Sequence, residues 1–451
     1  MGFDKLSPNG VNTSLCRINS KILERKLSGT PDISNNDKTQ PINLITTSAT
    51  DSQVQPETAF LGLAPFLRAS IAGTDLRPLG QEMLDRAGRN TADAELWLNL
   101  SVIVQCFGQR ELGLSIQSLA LQQKRVYRLA AATQPAKLRL LILSVPGDIS
   151  ENTPLDCLLE NSDVDLIFYY VSPHDPLALP IPEHDALFVA ICESDENRAT
   201  LAALEQPLAH WPKPVINKPQ LIPPTGREAA SRLLQDAPGL LIPPTLHASR
   251  SVLMEIAAGS VPLSGQFAGC DFPIIVRPVG SHAGRDLDRI ERPEELAAYL
   301  AKVGSEAFFL SRFIDYSGKG GLFRKYRVVL IDGKPYACHM GISSHWMIHY
   351  VNAGMYEDAK KREEEAAFMQ HFDDFALRHR AALEAIHQRT GLDYLCIDCA
   401  EAKDGQLFIF EIDHTMVVHA MDPEQLFPYK QVHMLKVKNA FRDFLFRLTG
   451  K

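Results

Sequence analysis

The chain has no run of about 18 consecutive apolar residues, and its start, Met1-Gly2-Phe3-Asp4-Lys5-Leu6-Ser7, carries no apolar signal core. A helical membrane span of the ordinary kind is therefore not expected, Leu6 breaks the myristoylation pattern, and the expected location is the cytoplasm. There is no basic excess either. The 46 Lys and Arg against 54 Asp and Glu give a net charge of −8, so a broad nucleic-acid surface is not expected and phosphate contacts would have to be local. Cysteine is sparse: eight residues scattered through 451, too few and too dispersed for a disulfide scaffold. Cys396 and Cys399 do spell C-x-x-C, but inside a strand they point to opposite faces and read as small buried hydrophobes. No G-x-G-x-x-G follows the first expected strand, so a nicotinamide or flavin fingerprint is missing.

What is present is enough for several domains. At 451 residues, 45% hydrophobic and 22% charged, the chain has the composition of a globular protein with room for extensive cores. Residues 1–56 are rich in Ser, Thr, Asn, Asp and Gln and predict disorder or a tether. Residues 57–134 turn helical, with Leu61, Leu63, Phe66 and Leu67, then Leu76, Leu79, Met83 and Leu84. A second pair of helices, at 94–106 and 111–122, is broken by Phe107-Gly108-Gln109. Trp97, Leu100 and Ala120, at a repeat distance of about 34–36 residues, fit a tetratricopeptide-like pair. Such a module either presents a peptide or protein partner or is a structural cap. From 135 to 246, apolar runs at 137–144, 164–171 and 186–191 alternate with a helix at 196–210, a strand at 214–217 and a helix at 226–236, predicting an open, Rossmann-like α/β sheet closed by 239–245. Residues 247–451 read as α+β, rich in hairpins.

The densest chemistry lies near the C-terminus, where Asp398, Glu411 and Asp413 fall on strands 394–400 and 407–413. If Asp404-Gly405 forms the centre of a type I′ turn, Lys403 pairs with Gln406 and Asp398 lies directly opposite Glu411, with Asp413 on the same face. Opposed β-carbons about 5 Å apart make two carboxylates repel by about 3 kcal/mol at an effective dielectric of ~20. A cation between them is expected, and three carboxylates on one face suit Mg²⁺ shared with substrate phosphates. The alternative, a solvated hairpin, sits poorly with the apolar Leu407-Phe408-Ile409-Phe410 run. Upstream, strand 272–278 leads into Val279-Gly280-Ser281-His282-Ala283-Gly284-Arg285, whose small residues let backbone N–H groups turn toward an anion that Arg277 and Arg285 neutralise.

Five segments in one order resemble the ATP-grasp superfamily from about residue 138 onward: VINKP with LLIPPT, FPIIVRPVGSHAG, FFLSRFID, KYRVVLIDGKPYA and CIDCAEAKDGQLFIFEID. The resemblance implies an ATP-grasp fold at 247–451 preceded by a pre-ATP-grasp α/β domain at 135–246. It further implies that Asp398, Glu411 and Asp413 hold Mg²⁺ and that Gly280, Ser281 and Gly284 cover the ATP phosphates. Arg312, Phe313 and Ile314 would contact adenine, Asp315 the ribose, and Arg277 and Arg327 the phosphate or acyl-phosphate charge. Asn352 and Gly354 lie where such proteins place a substrate loop. The chain departs from the family pattern in having Arg277 and Arg227 where lysines are usual and Asp413 where Asn is common. His345 and His349, spaced i, i+4, and His414 are candidates for substrate binding or acid–base work, with zinc or plain packing as alternatives. Trp346 to Tyr350 either line a pocket or belong to the core, and the charged run 357–365 is expected to be a solvated helix face with Lys361 and Glu365 paired. The function implied is an ATP- and Mg²⁺-dependent ligase joining a small-molecule or peptide carboxylate to an amine. A nucleotide-binding scaffold without turnover and a small-molecule kinase are the alternatives.

Overall fold

The computed structural model describes residues 58–172, 176, 177, 180–281 and 284–451; the expected tether at 1–56 lies outside them, as do His282 and Ala283 of the glycine loop. Four helices come first: α1 (Ala64–Ile71), α2 (Arg77–Arg89), α3 (Ala94–Cys106) and α4 (Arg110–Gln123). The Asp93 side chain accepts from Leu96 N and caps α3, and Gly108 leaves it at φ 74°. Consecutive residues Leu96 to Ser101 are all buried. The helix is thus a hub enclosed on every side, not the one-sided helix of a stacked pair, and the tetratricopeptide-like expectation is not supported.

The first sheet runs β1-β3-β2-β4-β5. It comprises β1 (Val126–Leu129), β2 (Leu138–Ser144), α5 (Leu155–Leu158), β3 (Val164–Tyr170), β4 (Ala186–Val189), α6 (Arg198–Ala209) and β5 (Val215–Ile216). Strands β2 to β5 are parallel, whereas β1 lies antiparallel on β3. Sequence patterning gave 126–129 to the helical segment; Tyr127 buried beside an exposed Arg128 shows instead the alternation of an edge strand. The β2–β3 crossover contains only the four-residue α5, so the sheet is an open α/β sheet without a full Rossmann crossover helix there.

Helices and sheet share one core, with the Phe60 ring 5.4 Å from both Tyr127 and Phe168. Asp156 on α5 is fully enclosed and accepts from Leu63 N at 2.5 Å and Ala64 N at 2.8 Å, satisfying donors that the start of α1 would otherwise leave orphaned. Asp156→Ala is expected to cost about 1–3 kcal/mol per abandoned donor, read as a lowered urea midpoint. An unchanged midpoint would show that water replaces the carboxylate.

Downstream come α7 (Arg227–Leu234), β6 (Leu240–Leu241), β7 (Leu246–Ser249), α8 (Arg250–Ala257), α9 (Leu263–Gln266), β8 (Ile274–Pro278), β9 (Asp288–Ile290), α10 (Pro293–Lys302) and β10 (Ala307–Arg312). Strands β7-β10-β8-β9 form an antiparallel sheet with its own core of Leu253, Ile274, Val276, Leu296 and Phe308. The last part holds β11 (Phe323–Ile331), β12 (Lys334–Ser343), α11 (Ala359–Gln370), α12 (Phe372–Arg378), α13 (Arg380–Thr390), β13 (Tyr394–Glu401), β14 (Leu407–Asp413) and α14 (Pro428–Thr449). Its sheet runs β12-β11-β13-β14-β6. Strand β6, which patterning assigned to the close of the α/β domain, pairs parallel with β14 through Leu407 and Leu240, so the boundary near residue 246 is stitched by backbone hydrogen bonds. The architecture is mixed α/β, and among the described residues no helix is long and apolar enough to cross a membrane.

Within the charged run 357–365, residues 357–364 are exposed or half-buried, as expected of a solvated face, but the last member is not. Glu365 is fully buried. It accepts from Met340 N at 2.9 Å, Tyr350 Oη at 2.7 Å and Tyr429 Oη at 2.5 Å, with Lys430 Nζ 3.3 Å away. Lys430 also donates to Tyr350 Oη at 2.6 Å and to Asp422 Oδ2 at 3.0 Å, and Asp422 accepts from Tyr356 Oη at 2.8 Å. Lys361 turns instead to the Ala353 carbonyl at 2.5 Å. This closed network ties α11 and α14 to β12.

Candidate active site

Asp398 does lie opposite Glu411, and Asp413 opposite Cys396. The route to that register differs from the expected one. Ala402 N donates to Gln406 O and Gly405, at φ 85°, donates back to Ala402 O, so the loop has three residues, 403–405, and pairing near it runs Glu401 with Leu407. A two-residue loop would have shifted those pairs by one. A bulge at Phe410, between the pairs Cys399–Ile409 and Asp398–Glu411, restores the register.

The carboxylates, however, already have cationic partners within the chain. Asp398, 1% exposed, accepts from Arg327 Nε at 2.8 Å and Nη2 at 3.0 Å, and Lys325 Nζ is 2.6 Å from Oδ2. Arg327 faces Asp398 across the β11–β13 ladder, and Lys325 shares its face by the period of two. Burial works against the Asp398 charge, yet Arg327 and then Lys325 hold its carboxyl well below the usual range. Burial likewise opposes the Arg327 charge, and Asp398 outweighs it and pushes the guanidinium up. Glu411 pairs with Arg227 at the start of α7. Burial would raise Glu411, and the nearby Asp398 charge adds to this, but Arg227, Lys325 and Arg277 bring it down to about 2. Asp413 accepts from Thr415 N at 2.8 Å and Thr415 Oγ1 at 2.8 Å.

Among the described residues no group of three or more His, Cys, Asp and Glu side chains stands where it could hold a metal ion. Two of the three carboxylates expected to hold Mg²⁺, Asp398 and Glu411, are engaged here by cations of the chain itself. The repulsion that called for a divalent ion is relieved by Arg327, Lys325 and Arg227. Lys325 was missed in the sequence, although Lys325 and Arg327 at i, i+2 on a strand signalled a shared face.

Arg277, on β8, is 9% exposed and has no carboxylate within ion-pair distance among the described residues. Its Nε donates to Ser281 Oγ at 3.2 Å and its Nη2 to the Ser281 carbonyl. Burial, and then the like charge of Arg227, lower its pKa to about 10. The loop beyond is built from positive-φ glycines. Gly280, at φ 73°, has open space where a Cβ would stand, whereas at Gly284, φ 71°, a Cβ would sit 2.4 Å from His349 Nε2. Gly284 thus brings the loop's end onto the segment after β12.

The remaining candidates are placed as follows. Arg312 ends β10, and Phe313 N donates to Pro273 O at 2.9 Å while its ring lies under the Arg289 guanidinium at 3.9 Å and 5.9 Å from Trp346. Ile314 packs beside Tyr316, Phe408 and Phe410. Asp315 pairs with Lys403 Nζ at 2.5 Å. His345 and His349 share no face of a regular element, because 344–349 is irregular. His345 Nδ1 accepts from Met347 N at 3.1 Å, and His349 N donates to Asn352 Oδ1 at 2.9 Å in a local cap. Asn352 therefore shapes the turn that Gly354, φ 68°, closes. His414 is fully buried, its Nδ1 3.8 Å from Asp413, and burial pushes its pKa down.

No family model matches the sequence, and no curated protein does. Among solved structures the chain is similar to a RimK domain protein ATP-grasp from Sphaerobacter thermophilus, at 16% identity and a TM-score of 0.39 over 68% of this chain and 99% of that one. It is also similar to the D-alanine–D-alanine ligase of Bacillus anthracis complexed with ATP, at 13% identity and a TM-score of 0.41 over 69% and 98%. A further similar structure is the VanG D-Ala:D-Ser ligase of Enterococcus faecalis, at 12% identity and a TM-score of 0.41 over 68% and 99%.

Proposed function

We propose that the chain is an ATP-dependent ligase that activates a carboxylate as an acyl phosphate and joins it to an amine. The observation that carries this reading is Arg277, a buried guanidinium without a carboxylate partner, standing at the mouth of a glycine loop. A buried guanidinium offset only by the Glu411 charge beyond ion-pair distance is unfavourable, and a phosphate group supplies further negative charge in a form the planar guanidinium binds bidentately. Gly280, Ser281 and Gly284 would cover the phosphates, and the segment from Arg312 to Asp315 would hold adenine and ribose. ATP supplies the phosphoryl group: a substrate carboxylate oxygen bonds to the terminal phosphorus as ADP leaves, and the amine then bonds to the acyl carbon as phosphate leaves. Arg327 is held rigidly by Asp398 and by Val417 O at 3.3 Å, and with Lys325 it presents fixed positive charge where the transferred group develops negative charge.

A second reading, a nucleotide-binding protein without turnover, draws on a specific observation: Asp398 and Glu411 are already engaged by the chain's own cations. The two are separated by incubating the protein with ATP, Mg²⁺ and mixed amino acids and peptides while following ADP, amide product and thermal stability. Release of ADP with an amide is the expected result. A nucleotide-dependent thermal shift without ADP supports the second reading, and ADP with a stable phosphoester marks a kinase. Neither shift nor ADP would remove both nucleotide readings.

A further inference from the structure

A cavity of about 540 Å³ lies between one face of α4 and the loops that follow β2 and β3. Its size is within the ordinary range for small-ligand sites. It also sits at the carboxyl edge of the parallel strands, where β2 has β3 on one side and β4 on the other. That is the edge at which open α/β sheets place ligands. The walls are fixed to each other: Gln117 Nε2 on α4 donates to Gly147 O at 2.9 Å, and Gly147 N donates back to Gln117 Oε1 at 2.8 Å.

The charges in this cavity are sorted by end. At the start of α4, Arg110 is bound to Asp148 at 2.9 Å and lies also in the field of Glu151 and Glu196, so acids outnumber the single cation there. Of these acids, Glu151 is held by Asn197 Nδ2 at 2.8 Å, whereas Glu196 has no ion pair among the described residues. Just past the other end of α4, Lys124 is engaged by Glu95, and Arg125 has no ion pair among the described residues. The uncommitted acid and the uncommitted base thus stand at opposite ends of a helix about 20 Å long. Subtracting the reach of two long side chains leaves about 10 Å, or roughly three extended residues. Between them, Ser118 and Gln122 offer a hydroxyl and an amide on the same helix face, suited to peptide groups.

We propose that this cavity binds a free peptide of about three residues as a zwitterion, its ammonium at Glu196 and its carboxylate at Arg125. Nothing in this depends on the nucleotide reading, and binding is measured without ATP. The full chain is dialysed to equilibrium against a mixture of unmodified tripeptides, and against the same mixture N-acetylated or C-amidated, with retained species identified by mass spectrometry. A subset of unmodified tripeptides should be retained, with either modification reducing retention by about tenfold or more. Arg125→Glu and Glu196→Lys should each reduce retention comparably while leaving the thermal midpoint unchanged, since both side chains are exposed. Absence of retained tripeptides with the unaltered chain, or retention that survives both substitutions or both modifications, would overturn the proposal.

Discussion

Lys430→Met is expected to destabilise the folded chain by about 3–5 kcal/mol, because it removes the ammonium that pairs with both Glu365 and Asp422 in a buried network. The ammonium also lies 4.0 Å from the Tyr350 ring and 4.7 Å from that of Phe427, so its packing is lost together with its charge. Glu365→Gln should cost less, since the amide keeps an oxygen for the two tyrosine hydroxyls. A pH dependence accompanies the loss. Burial pushes the Asp422 carboxyl up, but Lys430, His419 and the Tyr356 hydroxyl together hold it at about 2. A carboxylate with a depressed folded pKa contributes stability that is present above its unfolded value of about 3.9 and is lost as pH falls toward 2. In Lys430→Met that acid transition should move to higher pH. Denaturant unfolding across pH 2–7 checks both; a variant as stable as the parent, with an unmoved acid limb, would show that the network contributes little.

Arg277→Met should separate binding from stability in the opposite sense. It removes a buried guanidinium that has no carboxylate partner and whose pKa is already pulled to about 10 by burial and by Arg227. The unliganded protein should therefore be as stable as the parent or slightly more so, as expected where a strained charge is kept for a ligand. Affinity for ATP should meanwhile fall about 100-fold or more, the scale associated with a preorganised donor to a concentrated charge. Calorimetric titration and thermal unfolding of the same preparations read the two effects. Lower stability with unchanged affinity would make Arg277 a structural residue that holds Ser281 in place.

How much of this was legible in the residues is best seen at the closing hairpin. Apolar alternation and Asp404-Gly405 sufficed to set Asp398 against Glu411, but the agreement arises from two local departures that cancel, a three-residue loop and a bulge at Phe410. Neither is encoded in the period of two on which the expectation rested. Charge compensation was harder to foresee. Arg227 lies 184 positions from its partner Glu411, and only the packing of α7 against β14 brings them together. Glu365 shows the same limit, because a run of Lys, Arg and Glu on a helix reads as solvated until Lys430 arrives from 65 residues away in a buried tyrosine-lined niche. Strand β1 was hidden because four residues following a long amphipathic helix carry too little pattern to mark a change of period. By contrast, the continuous apolar strands of the first sheet and strand β8 with Gly280 just beyond it lie where their residues predicted.

The most direct test of the central claim is a crystal structure of the full chain with a non-hydrolysable ATP analogue. The account predicts phosphate oxygens within hydrogen-bond distance of the Arg277 guanidinium and of backbone N–H groups at Gly280 and Ser281. An analogue bound elsewhere, with Arg277 still directed only at Ser281, would contradict it.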